Sequence, residues 1–326
     1  MARSVWPPKV TPFCVPHSHA GLALSVRRDS LPGMSVPVST PPADPAESRP
    51  RPALSPSRAM DFKQCPLKYR FRAIDRIPEP PTRIQVRGTV VHAVLEDLYG
   101  LPRGDRLPGR AAALAEPALA RLLAEHPEVA ELVTDRETFL GEVRALVDTY
   151  YRIEDPTGFD PESCESRVEV ALPDGVLLRG FIDRIDVAPT GQLRVVDYKT
   201  GRAPGVDYEL KALFQLKFYA LIILRTRGIV PAQLKLIYLA DEQTLTYTPD
   251  EAELLRFERT LSALWQAILT AGSTGEFQPN PGWLCGFCAY QAICPEFGGT
   301  PPPYPGWPTG DTGESPDETL ADAVAD

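Results

Sequence analysis

Apolar residues recur every three to four positions in four stretches between residues 56 and 152, and each stretch reads as a helix: 56–72, 87–99, 110–126 and 135–152. In the second, Val91, Val94, Leu95 and Leu98 fall on one face. The period then shortens to two. Residues 167–172 alternate, 176–187 form a longer β run, Thr190-Gly191 makes a turn, and 192–199 form a third strand. A strongly apolar helix is predicted over 209–227, a fourth strand over 233–239 and a fifth over 245–247. Thr248-Pro249-Asp250-Glu251 has the pattern of an N-cap, a proline at the first helical position and a reciprocal glutamate. A last helix should run from there to about Ala271. Helices, a meander of strands, a helix and further strands make an α/β or α+β domain.

Both ends break these periods. Residues 1–52 are rich in Pro, Ser and Arg and are expected to be disordered, or to be an extension upstream of the true start. The folded domain is expected over 53–298. Residues 299–326, proline and glycine followed by acids, are expected to form a disordered tail. Hydrophobic residues at 43% and charged residues at 24% are ordinary for a globular protein. With no apolar run of about 18 residues, a membrane span is not expected. No continuous apolar stretch follows Arg3 and Lys9, so the chain is expected in the cytoplasm.

A net charge of −9 argues against a nucleic-acid partner only until its distribution is considered. Residues 295–326 carry seven of the acids and no Lys or Arg, which leaves −2 for the rest. Residues 58–87 carry eight bases against three acids, a local surplus that suits phosphates, although a solvated basic face has the same composition.

The chemistry concentrates in Gly180-Phe181-Ile182-Asp183-Arg184-Ile185-Asp186 and Val196-Asp197-Tyr198-Lys199-Thr200-Gly201. Side chains alternate along a strand, so Asp197 and Lys199 share a face with Leu193 and Val195. Charges on an apolar face are costly without a function. A short connection brings Asp183 beside Asp197. Two carboxylates and an ammonium at one sheet end suit a divalent ion that binds a phosphate. Asp-x-Lys alone is a trivial pattern, and its companions give it weight. His92 and Glu96 are spaced i and i+4 on their helix, as are Gln215 and Tyr219 on theirs.

Gly88-x-x-x-His92, Gly180-x-x-Asp183, Asp197-x-Lys199 and Gln215-x-x-x-Tyr219, in that order, resemble the RecB-like branch of the PD-(D/E)xK nucleases from about Leu54 to Phe297. The resemblance implies a restriction-endonuclease-like core, a mixed central sheet flanked by helices. It implies that His92, Asp183 and Asp197 are ligands of Mg²⁺ or Mn²⁺ and that Lys199 is the catalytic lysine. Gln215 and Tyr219 would organise the site or contact DNA. The family often has Glu where this chain has Asp197, and Asp also occurs there. Glu169 is a weaker candidate for an accessory acid.

Of six cysteines, Cys14 lies in the Pro-rich region and Cys164 has no near partner. Cys285-x₂-Cys288-x₅-Cys294 is compact, and Cys65, like Cys294, is followed by proline. Four such thiols in a cytoplasmic chain suit zinc or an iron–sulfur cluster. One cysteine before the nuclease motifs and three after them resembles the iron–sulfur RecB-family nucleases, which implies a [4Fe–4S] cluster. A link across so long a loop would contribute about 5 kcal/mol by chain entropy, so a structural clamp is expected, forming one wall of a DNA channel. Phe62, Tyr69, Phe71, Trp283, Phe287 and Tyr290 near it could stack on bases or serve as core.

The expected activity is exonucleolytic hydrolysis of DNA ends or single strands in recombination and repair. Without a Walker-type loop, unwinding would fall to a helicase partner or be unnecessary. A DNA-binding module that has lost cleavage and a nuclease that processes CRISPR spacers are the alternatives.

Overall fold

A computed structural model describes residues 52–203 and 206–308, residues 206–211 by their backbone path alone. The Pro-rich stretch before residue 52, with Cys14, and the acids after Pro308 lie outside the described residues.

The chain opens with α1 (Pro56–Gln64), where the Ser55 hydroxyl accepts from the Arg58 N–H and Pro56 occupies the first turn. The single helix expected over 56–72 is interrupted, because Cys65 precedes a proline and takes an extended conformation. The chain restarts as α2 (Pro66–Tyr69) and widens into a π-turn over Arg70–Ile74. Helix α3 (Arg83–Gly100) begins earlier than its apolar pattern suggests. Thr82 and Gln85 form a reciprocal capping box there. Helices α4 (Pro108–Glu125) and α5 (Arg136–Ile153) follow, the latter capped by Asp135 on the Thr138 N–H.

Five strands make one sheet in the order β1 (Ser163–Ala171), β2 (Leu177–Val187), β3 (Leu193–Lys199), β4 (Gln233–Tyr238) and β5 (Gln243–Tyr247). Every pairing is antiparallel except β3 with β4, which are joined by the crossover helix α6 (Val206–Arg227). Helix α7 (Glu251–Thr274) closes the domain. Its cap is Asp250, which accepts from the Glu253 N–H, so the expected start at Thr248 lies two residues too early. Gly275 ends the helix at φ 74°.

The sheet is buried on both faces, as the mixed α/β architecture requires. On one face Leu193, Val195, Leu234 and Leu236 pack with the N-terminal helices, α6 and α7. On the other, Val196, Tyr198 and Ile237 pack with α3, α4 and α5. The expected tail begins later than residue 299. Tyr304 and Trp307 lie against Gly272 and Gly275 of α7, the Tyr304 hydroxyl donates to the Gly272 carbonyl at 2.6 Å, and Arg70 donates to the Pro302 carbonyl. These aromatic contacts hold a Pro-rich stretch that shows no period in the sequence.

The α3–α5 face also encloses charges. Arg184 is fully buried and bonds the hydroxyls of Tyr99 (2.9 Å), Tyr150 (3.2 Å) and Tyr198, the Glu154 carboxylate (2.8 Å) and Asp186 (3.0 Å). Lys235 adds a second cation to Glu154 and Arg194 a second to Asp186. Burial opposes ionisation of Glu154, but Arg184 and Lys235 outweigh it and hold the carboxyl at about 2. Pairing of each buried charge with an opposite one is what makes them compatible with an apolar interior.

Candidate active site and cysteine cavity

The site forms where β2 and β3 run side by side and α3 and α6 flank them. The register that pairs Arg184 with Val196 brings Asp183 level with Asp197. Strand β2 changes phase there. Leu178 and Ile182 serve the α6 core, whereas Arg184 and Asp186 face the α3–α5 side. Asp183 sits at the change, buried, its Oδ2 accepting the Tyr198 N–H at 2.6 Å.

Asp197 and Lys199 project together from β3, with the Lys199 Nζ 3.2 Å from the Asp197 Oδ2. The other Asp197 oxygen, Oδ1, accepts from the Gln215 Nε2 at 2.8 Å, and the same amide reaches the Tyr219 hydroxyl at 3.3 Å. Gln215 and Tyr219 are thus linked one turn apart on α6, as their spacing suggests. Two glycines permit the close packing. A Cβ on Gly180 would lie 2.7 Å from the Tyr219 ring, and one on Gly88 would lie 3.3 Å from the Thr200 hydroxyl.

His92 approaches from α3. Its Nε2 lies 3.0 Å from the Tyr198 carbonyl oxygen and donates to it. In the neutral ring the Nδ1 lone pair then faces two acids, Asp183 Oδ2 at 3.6 Å and Glu165 Oε1 at 3.7 Å. The ligand atoms of His92, Glu165 and Asp183 all lie within 4.8 Å of one another. Asp197 stands beside this group, engaged by Gln215 and Lys199.

Burial raises the Asp183 carboxyl from 3.8 to about 6; His92 pulls it down and Glu165 pushes it up. Burial also raises the Tyr219 phenol far above its ordinary range, and the Asp197 and Asp183 carboxylates add to that. An imidazole nitrogen beside partly buried carboxylates fits a divalent cation of the Mg²⁺ or Mn²⁺ kind, which would relieve their mutual repulsion.

The sequence points to His92, Asp183, Asp197, Lys199, Gln215 and Tyr219, and the structure brings all six to this corner. Glu165 is an addition. The first strand begins at Ser163, four residues before its alternation becomes visible, and only cross-strand register places Glu165 opposite Asp183. Glu169, the weaker candidate, bonds Arg179 at 2.8 Å and lies near Arg167 instead. Glu96 is exposed, one turn beyond His92 on α3, outside the ligand group.

Cys65, Cys285, Cys288 and Cys294 all line one cavity of 650 Å³. Cys65 joins α1 to α2, and the other three sit on successive 3₁₀ turns after α7. The Cys285 Sγ accepts the Gly282 N–H at 3.3 Å. Burial raises the Cys288 thiol, with Lys68, Cys65 and Cys285 among the charges acting on it. Asn280 donates to the Gln64 carbonyl at 2.8 Å and Tyr290 to the Ile77 carbonyl at 3.1 Å, tying the C-terminal turns to the first helices. Cys164 lies apart in β1, its thiol pushed up to about 12 by burial.

Tyr69, Phe71 and Tyr290 belong to the core, whereas Trp283 and Phe287 are 66% and 81% exposed. Much of the basic surplus in 58–87 is paired: Lys68 and Arg72 with Asp61, Arg70 with Asp75, Arg83 and Arg87 with Glu142. Among the described residues no helix is long and apolar enough to cross a membrane.

Comparison with known proteins gives this geometry a context. The profile of the PD-(D/E)XK nuclease superfamily matches residues 53–295. The Gene 69 protein of Mycobacterium phage D29 is 26% identical over 272 residues, covering 76% of this chain and 97% of the phage protein. The Gene 69 protein of Mycobacterium phage L5 is 33% identical over 127 residues, 38% of this chain and 41% of its own. A crystal structure from Eubacterium rectale, of a protein provisionally named an exonuclease, superimposes with a TM-score of 0.51 at 14% identity. It covers 80% of this chain and 95% of that protein, a likeness of fold.

Proposed function

Because this chain belongs to the PD-(D/E)XK nuclease superfamily, we propose that it is a metal-dependent deoxyribonuclease of the RecB-like branch, acting from DNA ends or on single strands in recombination and repair. The observation that carries this reading is the meeting of Asp183, Asp197 and Lys199 across β2 and β3, with His92 facing Asp183. Superfamily members generally use divalent ions such as Mg²⁺.

Here His92, Asp183 and Asp197 would hold Mg²⁺ or Mn²⁺. The bound ion supplies Lewis acidity toward the scissile phosphate. The chain's own groups do the rest. Lys199, beside Asp197, orients the attacking water and stabilises negative charge as the new P–O bond forms and the ester P–O bond breaks. Gln215 fixes the Asp197 carboxylate, and Tyr219 fixes Gln215. The Tyr198 N–H holds Asp183 in place, and its carbonyl holds His92 in one tautomer.

The four cysteines would bind a [4Fe–4S] cluster that clamps the first helices to the C-terminal turns. All four thiols line one cavity, Cys65 from the first helices and the others from the turns after α7, which supports a single shared group. The exposed Trp283 and Phe287 suit single-stranded DNA at this wall, and a helicase partner would supply unwinding where the substrate is duplex.

The test is degradation of end-labelled single- and double-stranded DNA by protein purified without oxygen, with Mn²⁺ or Mg²⁺ and with EDTA. Metal-dependent shortening of the strands is expected. Intact DNA, in a sample shown to bind both metal and DNA, would overturn the reading.

A further inference from the structure

Glu165 stands apart from Glu169, the other acid of β1. Its φ is +44°, in the left-handed region that a non-glycine residue in a strand avoids. Such a conformation is strained and persists only where the surroundings impose it. The pairs Cys164–Arg184 and Ser166–Ile182 flank it, which sets Glu165 opposite Asp183, at the point where β2 itself changes phase. Both strands are therefore distorted at the same level, beside His92.

Its surroundings do not explain the carboxylate as a structural ion pair. Among the described residues the His92 Nδ1 lies 3.7 Å from its carboxylate. With Nε2 donating to the Tyr198 carbonyl, that nitrogen presents a lone pair whenever the ring is neutral. Glu169, four residues on in the same strand, is held by Arg179 at 2.8 Å. Glu165 instead faces an imidazole and a buried acid, an arrangement that a divalent cation among the three would stabilise.

We propose that Glu165 is a ligand of the divalent ion, completing with His92 and Asp183 a three-sided cradle, and that the left-handed backbone serves to aim its carboxylate. The inference rests on the metal-dependent reading above. It leaves Asp197 beside the cradle, with Lys199 and Gln215.

Mn²⁺ binding by the full chain, followed by calorimetry and by the electron paramagnetic resonance signal of free Mn²⁺, tests it without reference to cleavage. Glu165→Gln should weaken Mn²⁺ binding about tenfold or more, whereas Glu169→Gln should bind as the unmodified protein does. Glu165→Gly removes the carboxylate but suits the backbone. It should fold at least as stably and still bind Mn²⁺ weakly, which covers the case in which the glutamine variant fails to fold. Unchanged affinity in Glu165→Gly, with affinity lost in Asp183→Asn, would overturn the role of Glu165 and leave the nuclease reading standing. No Mn²⁺ binding by the unmodified protein would overturn both.

Discussion

The corner of the sheet and the cysteine cavity organise their functional groups in opposite ways. At the corner, Asp183, Asp197 and Lys199 ride on hydrogen-bonded strands, and backbone amides, Gln215 and a histidine tautomer fix them before any ligand arrives. At the cavity, three of four thiols sit on short 3₁₀ turns, and a few long-range hydrogen bonds tie these turns to the first helices. The lesson is one of preorganisation. A ladder positions side chains to fractions of an ångström without help, whereas turns of this kind would depend on the group proposed to bind them.

Removing one of the cysteines proposed to hold a cluster should break that contrast most severely. Cys288→Ala is expected to give colourless, poorly soluble protein with a melting temperature lowered by the loss of about 5 kcal/mol of chain closure. Brown, stable protein from this variant would refute the clamp, and iron content reads the same point.

Arg184→Ala attacks the corner from behind. It leaves Glu154 and Asp186 with one cation each and three tyrosine hydroxyls without their common donor. A loss of about 3–5 kcal/mol in denaturant unfolding is expected. A near-neutral result would show that the network is dispensable.

Asp183→Asn acts the other way on metal-free protein. The folded carboxyl titrates at about 6, above its ordinary 3.8. The stability that its protonated form contributes is complete below pH about 4 and lost as pH rises through about 6, a difference of about 3 kcal/mol. The variant should therefore melt higher than the unmodified protein at pH 8, with the gap closing below pH 4. By the same titration, metal binding to the unmodified protein should weaken as pH falls below 6, since the ion must displace that proton.

Gly180→Ala is the mildest change. Its Cβ would displace the Tyr219 ring and, through it, Gln215. A roughly tenfold lower cleavage rate, about 1.4 kcal/mol, with DNA binding unchanged, is expected.

These two regions also differ in how much of them can be read from the chain. Asp197-x-Lys199 and Gln215-x-x-x-Tyr219 are legible because strand and helix periods alone decide which side chains share a face. The gathering of Cys65 with Cys285, Cys288 and Cys294 at one cavity follows the count and spacing of the cysteines. Glu165 is not legible, since its place depends on register between strands and on a φ that no local pattern announces. The interior place of Arg184 and Asp186 is not legible either, since only the helices packed over them create it. The basic run over 58–87 is only partly legible for a related reason: composition does not show which charges pair, and Asp61, Asp75 and Glu142 engage five of its eight bases.

Hydrolysis is proposed to be carried out by the lysine and acids at the sheet corner. The most direct measurement is the rate of nucleotide release from end-labelled single-stranded DNA with Mn²⁺, by Lys199→Ala beside the unmodified protein, at matched DNA binding and melting temperature. Cleavage by the variant should fall at least about a hundredfold, with binding intact. A variant that cuts at the unmodified rate would contradict the assignment of this corner as the active site.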